Sequence, residues 1–170
     1  EVARPAMEDV TRALGESCSM AVLDRAEIIY VARVQAHRIM EQVLEVGLRL
    51  PAHATALGQV LLAELPDDEL AELLDAFPPF AVTDRTLTDR EDLLARIEQV
   101  RQQGYALVDE ELERGVRSVA VPIRDRRNRV VAALNVGAHV GRVSIEDMTG
   151  PVLVALRRAA NEIERPVGHL

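Results

Sequence analysis

Apolar and polar positions along this chain change period several times, and each change marks an element. Residues 6–14 read as a short helix closed by Gly15, after an opening without a helix start of its own, as if cut from something longer. Beyond it, Met20 and Val22, then Ile28, Ile29, Tyr30, Val31 and Val34, fall in two strand-like runs over 19–24 and 27–35. The polar Asp24, Arg25 and Ala26 between them predict a hairpin. Residues 40–46 form a weaker third strand before Gly47. Leu50-Pro51 punctuates the chain, and the period lengthens to that of a helix over 53–65, with Leu57, Leu61 and Leu65 four apart and Ala54 completing the face. A second helix, capped by Asp67 after Pro66, carries Leu70, Leu73, Leu74 and Phe77 on one face until Pro78-Pro79 stops it. A third opens on the capping box Thr88-Asp89-Arg90-Glu91, turns Leu94, Ile97 and Val100 inward, and ends at Gly104.

Three short β-rich runs follow at 105–109, 118–124 and 130–137. The last two are joined by a very polar turn over 125–129, in which Asn128 can take a positive φ. Thr149-Gly150-Pro151 opens a terminal helix that uses Leu153, Leu156, Ala160 and Ile163 and ends at Pro166. Hairpins with segregated helices predict an α+β domain around a mostly antiparallel sheet. Neither an internal repeat nor a low-complexity tract interrupts the pattern.

Composition agrees with one folded unit. The chain has 170 residues, 48% of them hydrophobic, with Gly 9 and Pro 8, enough apolar side chain to offset chain entropy. Asp and Glu number 28 against 20 basic residues, all of them Arg, giving a net charge of −8. Such a surface repels phosphate backbones, so the unit by itself is not expected to grip DNA. Cys18 is the single cysteine, which excludes an internal disulfide and a Cys-rich zinc site and fits a reducing, cytoplasmic setting. No apolar run approaches the ~18–20 residues of a membrane span.

Enzymatic signatures are missing: no G-x-G-x-x-G, Walker loop, G-x-S-x-G or H-E-x-x-H occurs. His37, His53, His139 and His169 lack metal-ligand spacing. The run Asp109-Glu110-Glu111 offers carboxylates for acid–base work, with His53 as a partner in a small hydrolase or isomerase, or else a solvated charged face paired with Arg114 and Arg117. Neither a cofactor nor a metal is expected.

Residues 50–59, Leu-Pro-Ala-His-Ala-Thr-Ala-Leu-Gly-Gln, are the most informative segment. No Asp or Ser stands at the expected helix start. Unless Thr55 or His53 caps it, first-turn N–H groups need another acceptor, and a carboxylate ligand would suit them. The small Ala54 and Ala56 allow a ligand to approach the backbone.

Residues 47–63 (Gly-Leu-Arg-Leu-Pro-Ala-His-Ala-Thr-Ala-Leu-Gly-Gln-Val-Leu-Leu-Ala), 103–105 (Gln-Gly-Tyr), 109–123 (Asp-Glu-Glu-Leu-Glu-Arg-Gly-Val-Arg-Ser-Val-Ala-Val-Pro-Ile) and 132–136 (Ala-Ala-Leu-Asn-Val) carry a resemblance. In order and spacing they resemble the C-terminal effector-binding domain of the IclR family of bacterial transcriptional regulators. The resemblance covers residues 15–165. It implies a GAF-like fold in which a curved sheet and helices enclose a small-molecule pocket. It also implies self-association as dimers or tetramers, and an N-terminal winged helix-turn-helix, lacking here, through which DNA is bound. Residues 1–14 would be the linker helix toward that reader and 15–170 the effector-binding domain.

Carried over position by position, the resemblance places an effector carboxylate at the backbone amides of Ala56 and Leu57. Ser118, Asn135 and Gly137 take small polar positions on the facing strands, and Val116 takes an apolar wall. The family's acidic contact falls nearest Val108 or Asp109. Tyr30-Val-Ala-Arg33, Arg38-Ile-Met40 and the segment 47–51 resemble the branch that controls protocatechuate and β-ketoadipate catabolism, although that branch usually has an aromatic residue at His53 and a basic one at Gln59. An aromatic or dicarboxylic acid is the implied effector, the alternative being an oligomerisation domain with a degenerate pocket filled by its own side chains. Arg33, Arg38 or Arg49 then serves either a second carboxylate or ordinary ion pairing.

Overall fold

Every neighbouring pair of strands in this chain runs antiparallel. The computed structural model describes residues 2–37 and 44–167. Its strands are β1 (Ser17–Asp24), β2 (Glu27–Val34), β3 (Arg49–Pro51), β4 (Ala106–Asp109), β5 (Val116–Arg124) and β6 (Val130–His139), in the order β3-β2-β1-β6-β5-β4. The helices are α1 (Arg4–Leu14), α2 (Ala56–Leu62), α3 (Asp67–Ala76), α4 (Arg90–Gln103), the one-turn α5 (Ile145–Asp147) and α6 (Leu153–Val167). The architecture is α+β, as the hairpins and segregated helices predict.

Strand alternation divides the core into two layers. Ala21 of β1, Ile28 and Tyr30 of β2, Ala120 of β5 and Ala133 of β6 pack under α2, α3 and α4. Cys18, Val119, Val121, Leu134 and Val136 point to the opposite face, where Met7 and Val10 of α1 and Leu156 and Ile163 of α6 cover them. Met7, Leu134 and Leu156 are completely buried. Each such side chain contributes about 1.5–3 kcal/mol by leaving water. The hairpin turns follow the sequence: Arg25 and Asn128 both adopt positive φ, at 55° and 62°. The charged turn after β5 is tied by Asp125, whose carboxyl lies below its usual range because backbone N–H groups, Arg129 first, donate to it.

Several local expectations shift. Of the predicted strand 40–46, residues 40–43 lie outside the described residues, and 44–46 are not strand. The third strand of this region comes after the Gly47 turn instead, where Ile28 pairs with Leu50. The helix expected over 53–65 is divided. A 3-10 turn spans Ala52–Ala54, Thr55 is extended, and α2 runs only from Ala56 to Leu62. Asp67 lies inside α3 and Pro66 occupies the capping position, while Phe77 sits beyond the helix and is exposed. In α4 the cap is Asp89, whose carboxylate accepts from Asp92 N at 3.0 Å, and Leu93 takes the fully buried place expected of Leu94. Before α6, Ser144 caps a turn at Ile145 and a π-helical segment over Met148–Val152 leads in, with a kink at Gly150-Pro151. Pro166 does not end the helix, which reaches Val167.

Candidate functional site

A cavity of about 340 Å³ opens between the sheet and the start of α2. Its sheet wall is built by alternation: Ser17 of β1, Ser118 of β5 and Asn135 and Gly137 of β6 line it, on the face that also carries Ser19, Ala21 and Ala133. Small side chains there leave the hollow open. A Cβ built on Gly137 would meet nothing within 4 Å.

Strand β2 departs from strict alternation. The register with β1 slips between Met20 and Ala21, where Met20 pairs with Ala32 but Ala21 pairs with Tyr30, leaving Val31 as an extra residue. Tyr30 and Arg33, three positions apart, therefore both line the cavity, and Val31 is exposed. Burial pushes the Tyr30 hydroxyl above its ordinary pKa, and the Arg33 charge partly offsets this.

The helix wall is set by Thr55. Its Oγ1 accepts from Gly58 N at 2.9 Å and its carbonyl accepts from Gln59 N at 3.0 Å. Ala56 N and Leu57 N receive no acceptor from the described residues, and both residues line the hollow. The segment before them is held from behind. Gln59, completely buried, donates through Nε2 to His53 O at 3.0 Å and accepts from Arg96. Arg96 in turn pairs with the buried Glu111 at 2.9 Å. The His53 ring meets Phe80 edge-on, with Nε2 2.8 Å from Phe80 O.

Polar contacts along the sheet wall form one chain. Arg33 Nη1 donates to Ser19 Oγ at 2.8 Å, Ser19 N donates to Asn135 Oδ1 at 3.1 Å, and Asn135 Nδ2 donates to Ser118 Oγ at 2.9 Å. At another part of the lining, Arg142 pairs with the buried Glu16 through two bonds of 3.0 and 3.3 Å.

The residues singled out in the sequence thus separate into two sets. Ala56, Leu57, Val116, Ser118, Asn135, Gly137 and Arg33 line one cavity, with Val108 beside them. Asp109 does not: its carboxylate takes Arg117 Nε at 3.0 Å and lies 3.5 Å from Arg85. Arg49 is drawn to Asp24 and Glu27 at the β1–β2 turn, which also keeps its guanidinium firmly protonated. Arg38 lies outside the described residues. Neither His53 nor the acids at 109–111 line this cavity: His53 turns to Phe80, Glu110 pairs with Arg85 and Glu111 with Arg96. Tyr30, Ser19 and Arg142 were not singled out. Only the bulge reveals that Tyr30 shares a face with Arg33, and Arg142 follows β6 in a segment without periodicity.

Residues 1–165 match the family model described as bacterial transcriptional regulator IclR C-terminal. The Pca regulon regulatory protein of Pseudomonas putida is 45% identical over 160 residues, covering 92% of this chain and 55% of the relative. The chain therefore spans about half the length of that curated relative. The crystal structure of a transcriptional regulator from Rhodococcus sp. RHA1 superposes with a TM-score of 0.96 at 44% identity, over 99% of this chain and 68% of that one. The inducer-binding domain of a PobR double mutant from Acinetobacter, in complex with 3-hydroxybenzoic acid, gives 0.90 at 34% identity, over 96% and 95%.

Proposed function

The chain belongs to the C-terminal domain family of bacterial IclR transcriptional regulators, and we propose that its cavity senses a small carboxylate metabolite of aromatic-acid catabolism. The observation that carries this reading is the pair of amides, Ala56 N and Leu57 N, which lack protein acceptors and line a hollow of about 340 Å³. That volume falls within the range of small-molecule sites, roughly 300–1,000 Å³. Adjacent N–H groups in a low-dielectric hollow are suited to carboxylate oxygens, and α2 is short enough that these local donors outweigh any helix dipole. The hydroxybenzoate bound by the PobR domain supports an aromatic acid.

In this reading no cofactor is needed and the domain is not an enzyme. Residues 1–14 lead toward a winged helix-turn-helix reader in the longer protein, and DNA is contacted only there, in the cytoplasm. The domains associate as dimers or tetramers, and the effector acts by binding one arrangement more tightly than another.

Thermal unfolding with 3- and 4-hydroxybenzoate, protocatechuate, 3-oxoadipate, pyruvate and glyoxylate tests it. A ligand at a hundred times its Kd raises stability by about 2.7 kcal/mol. If no acid in the panel moves the midpoint, the sensing function is wrong.

A further inference from the structure

Arg96 of α4 stands behind two separate parts of the cavity lining. One is the turn 52–57, which carries the amides of Ala56 and Leu57, and the other is the segment 110–115, which brings Leu112 and Glu113 to the same hollow. Gln59 links Arg96 to the first. The His53 carbonyl can only accept, so Gln59 must turn Nε2 to it, which leaves Oε1 of this completely buried side chain to accept from Arg96 Nη1 at 3.4 Å. The same Nη1 donates to both carboxylate oxygens of Glu111, at 2.9 and 3.3 Å. Glu111 anchors the second part, with a side chain only 6% exposed.

The segment 110–115 is closed on itself. Glu110 N donates to Val116 O at 2.9 Å, and Gly115 N donates to the Glu110 carboxylate at 2.8 Å. Glu110 takes a φ of 61°, a left-handed conformation that a non-glycine residue keeps only where its surroundings impose it. Thr83 and Thr86, in the loop before α4, donate to the carbonyls of Glu110 and Glu111 at 2.7 and 2.6 Å. If this segment lifts, Glu111 leaves with it. Arg96, whose side chain is 26% exposed, then loses the charge that keeps it inward and turns to water, and the buried Gln59 Oε1 loses its donor. The turn that Gln59 holds is loosened by the same event.

We propose that Arg96 is a positioning residue that joins the turn 52–57 and the segment 110–115 into one unit, opening and closing together. The joint opening stands on these contacts alone; that it admits a ligand rests on the sensing function proposed above.

Native-state hydrogen exchange of the ligand-free chain, followed by NMR, tests the coupling without an effector. The amides of Gly58 and Gln59 report on the turn, those of Glu110 and Gly115 on the segment, and that of Leu134, flanked by strands on both sides, on global unfolding. The four site amides should share one protection factor, at least about tenfold below that of Leu134. Glu111 bonds to the turn nowhere among the described residues, yet Glu111→Gln should lower all four by a common factor of about tenfold or more, as loss of a charge-assisted bond warrants. Arg96→Met should do the same, Arg96→Lys should retain part of the protection, and adding Glu111→Gln to Arg96→Met should leave Gly58 and Gln59 unchanged. Turn amides that keep their protection while Glu110 and Gly115 lose theirs would overturn the proposal, as would turn amides protected as strongly as Leu134. Thr86→Val loosens the segment without altering either charge, so it carries the same comparison if Glu111→Gln does not fold.

Discussion

Gly58 and Ala52 are in direct backbone contact: a Cβ on Gly58 would stand 2.1 Å from the Ala52 carbonyl oxygen and 2.4 Å from its Cα. Backbone cannot swing aside as a side-chain tip can, so any larger residue here must move either α2 or the 3-10 turn. Gly58→Ala is expected to destabilise by about 3 kcal/mol, the upper end for overpacking, in urea unfolding. Because the turn positions Ala56 and Leu57, carboxylate binding should fall with it. A fully stable Gly58→Ala would show that the turn is free to shift.

Gly137 offers the opposite case. Its missing Cβ faces open space in the cavity, with Ser17 and Ser118 paired on either side. Gly137→Leu should fill the hollow and lower ligand affinity by more than about tenfold, with little loss of stability because no neighbour is displaced. Unfolding midpoint and titration on the same sample check both halves.

Asn135→Leu removes the acceptor of Ser19 N and the donor to Ser118 together. A buried amide left without a partner costs about 1–3 kcal/mol, so the variant should be folded but less stable. Its thermal response to every acid that stabilises the wild type should disappear. Full response would place the binding site elsewhere.

Cys18 lies on the other face of the sheet, completely buried, where desolvation pushes its thiol up to about 12 from 9.0. A thiol raised in the native state keeps its proton while the unfolded chain begins to release it near pH 9. Its contribution to stability is therefore whole below that pH and declines as the pH rises toward 12. Between about pH 8 and 10.5, Cys18→Ala should lose less stability than the wild type. Parallel curves would show that the thiol is accessible in the native fold.

Much of the framework could be read directly because it depends on neighbours in sequence. Asn128 in a polar turn, Gly104 after α4, and the alternating strands of the two hairpins all behaved as local chemistry requires. Where two adjacent residues compete for one task, the sequence was ambiguous by a single position. Both Thr88 and Asp89 can cap α4, and the carboxylate prevails. The division of the helix over 53–65 was hidden for a different reason. Gln59 and His53 hold the 3-10 turn through contacts with α4 and Phe80, which lie far along the chain. At the site, the lining from β5 and β6 could be anticipated from the resemblance together with strand period. The partners of Asp109 and Arg49 could not, since ion pairing across a fold depends on which charges are brought within reach.

The extra residue in β2 also bears on how this domain can change. With Val31 looping outward, the strand contains one residue more than its pairing with β1 consumes. Loss of that surplus residue would restore plain alternation and still leave Tyr30 and Arg33 turned inward. A shortened descendant could therefore keep its chemical preference, and the tyrosine and arginine would stand two positions apart in its sequence instead of three.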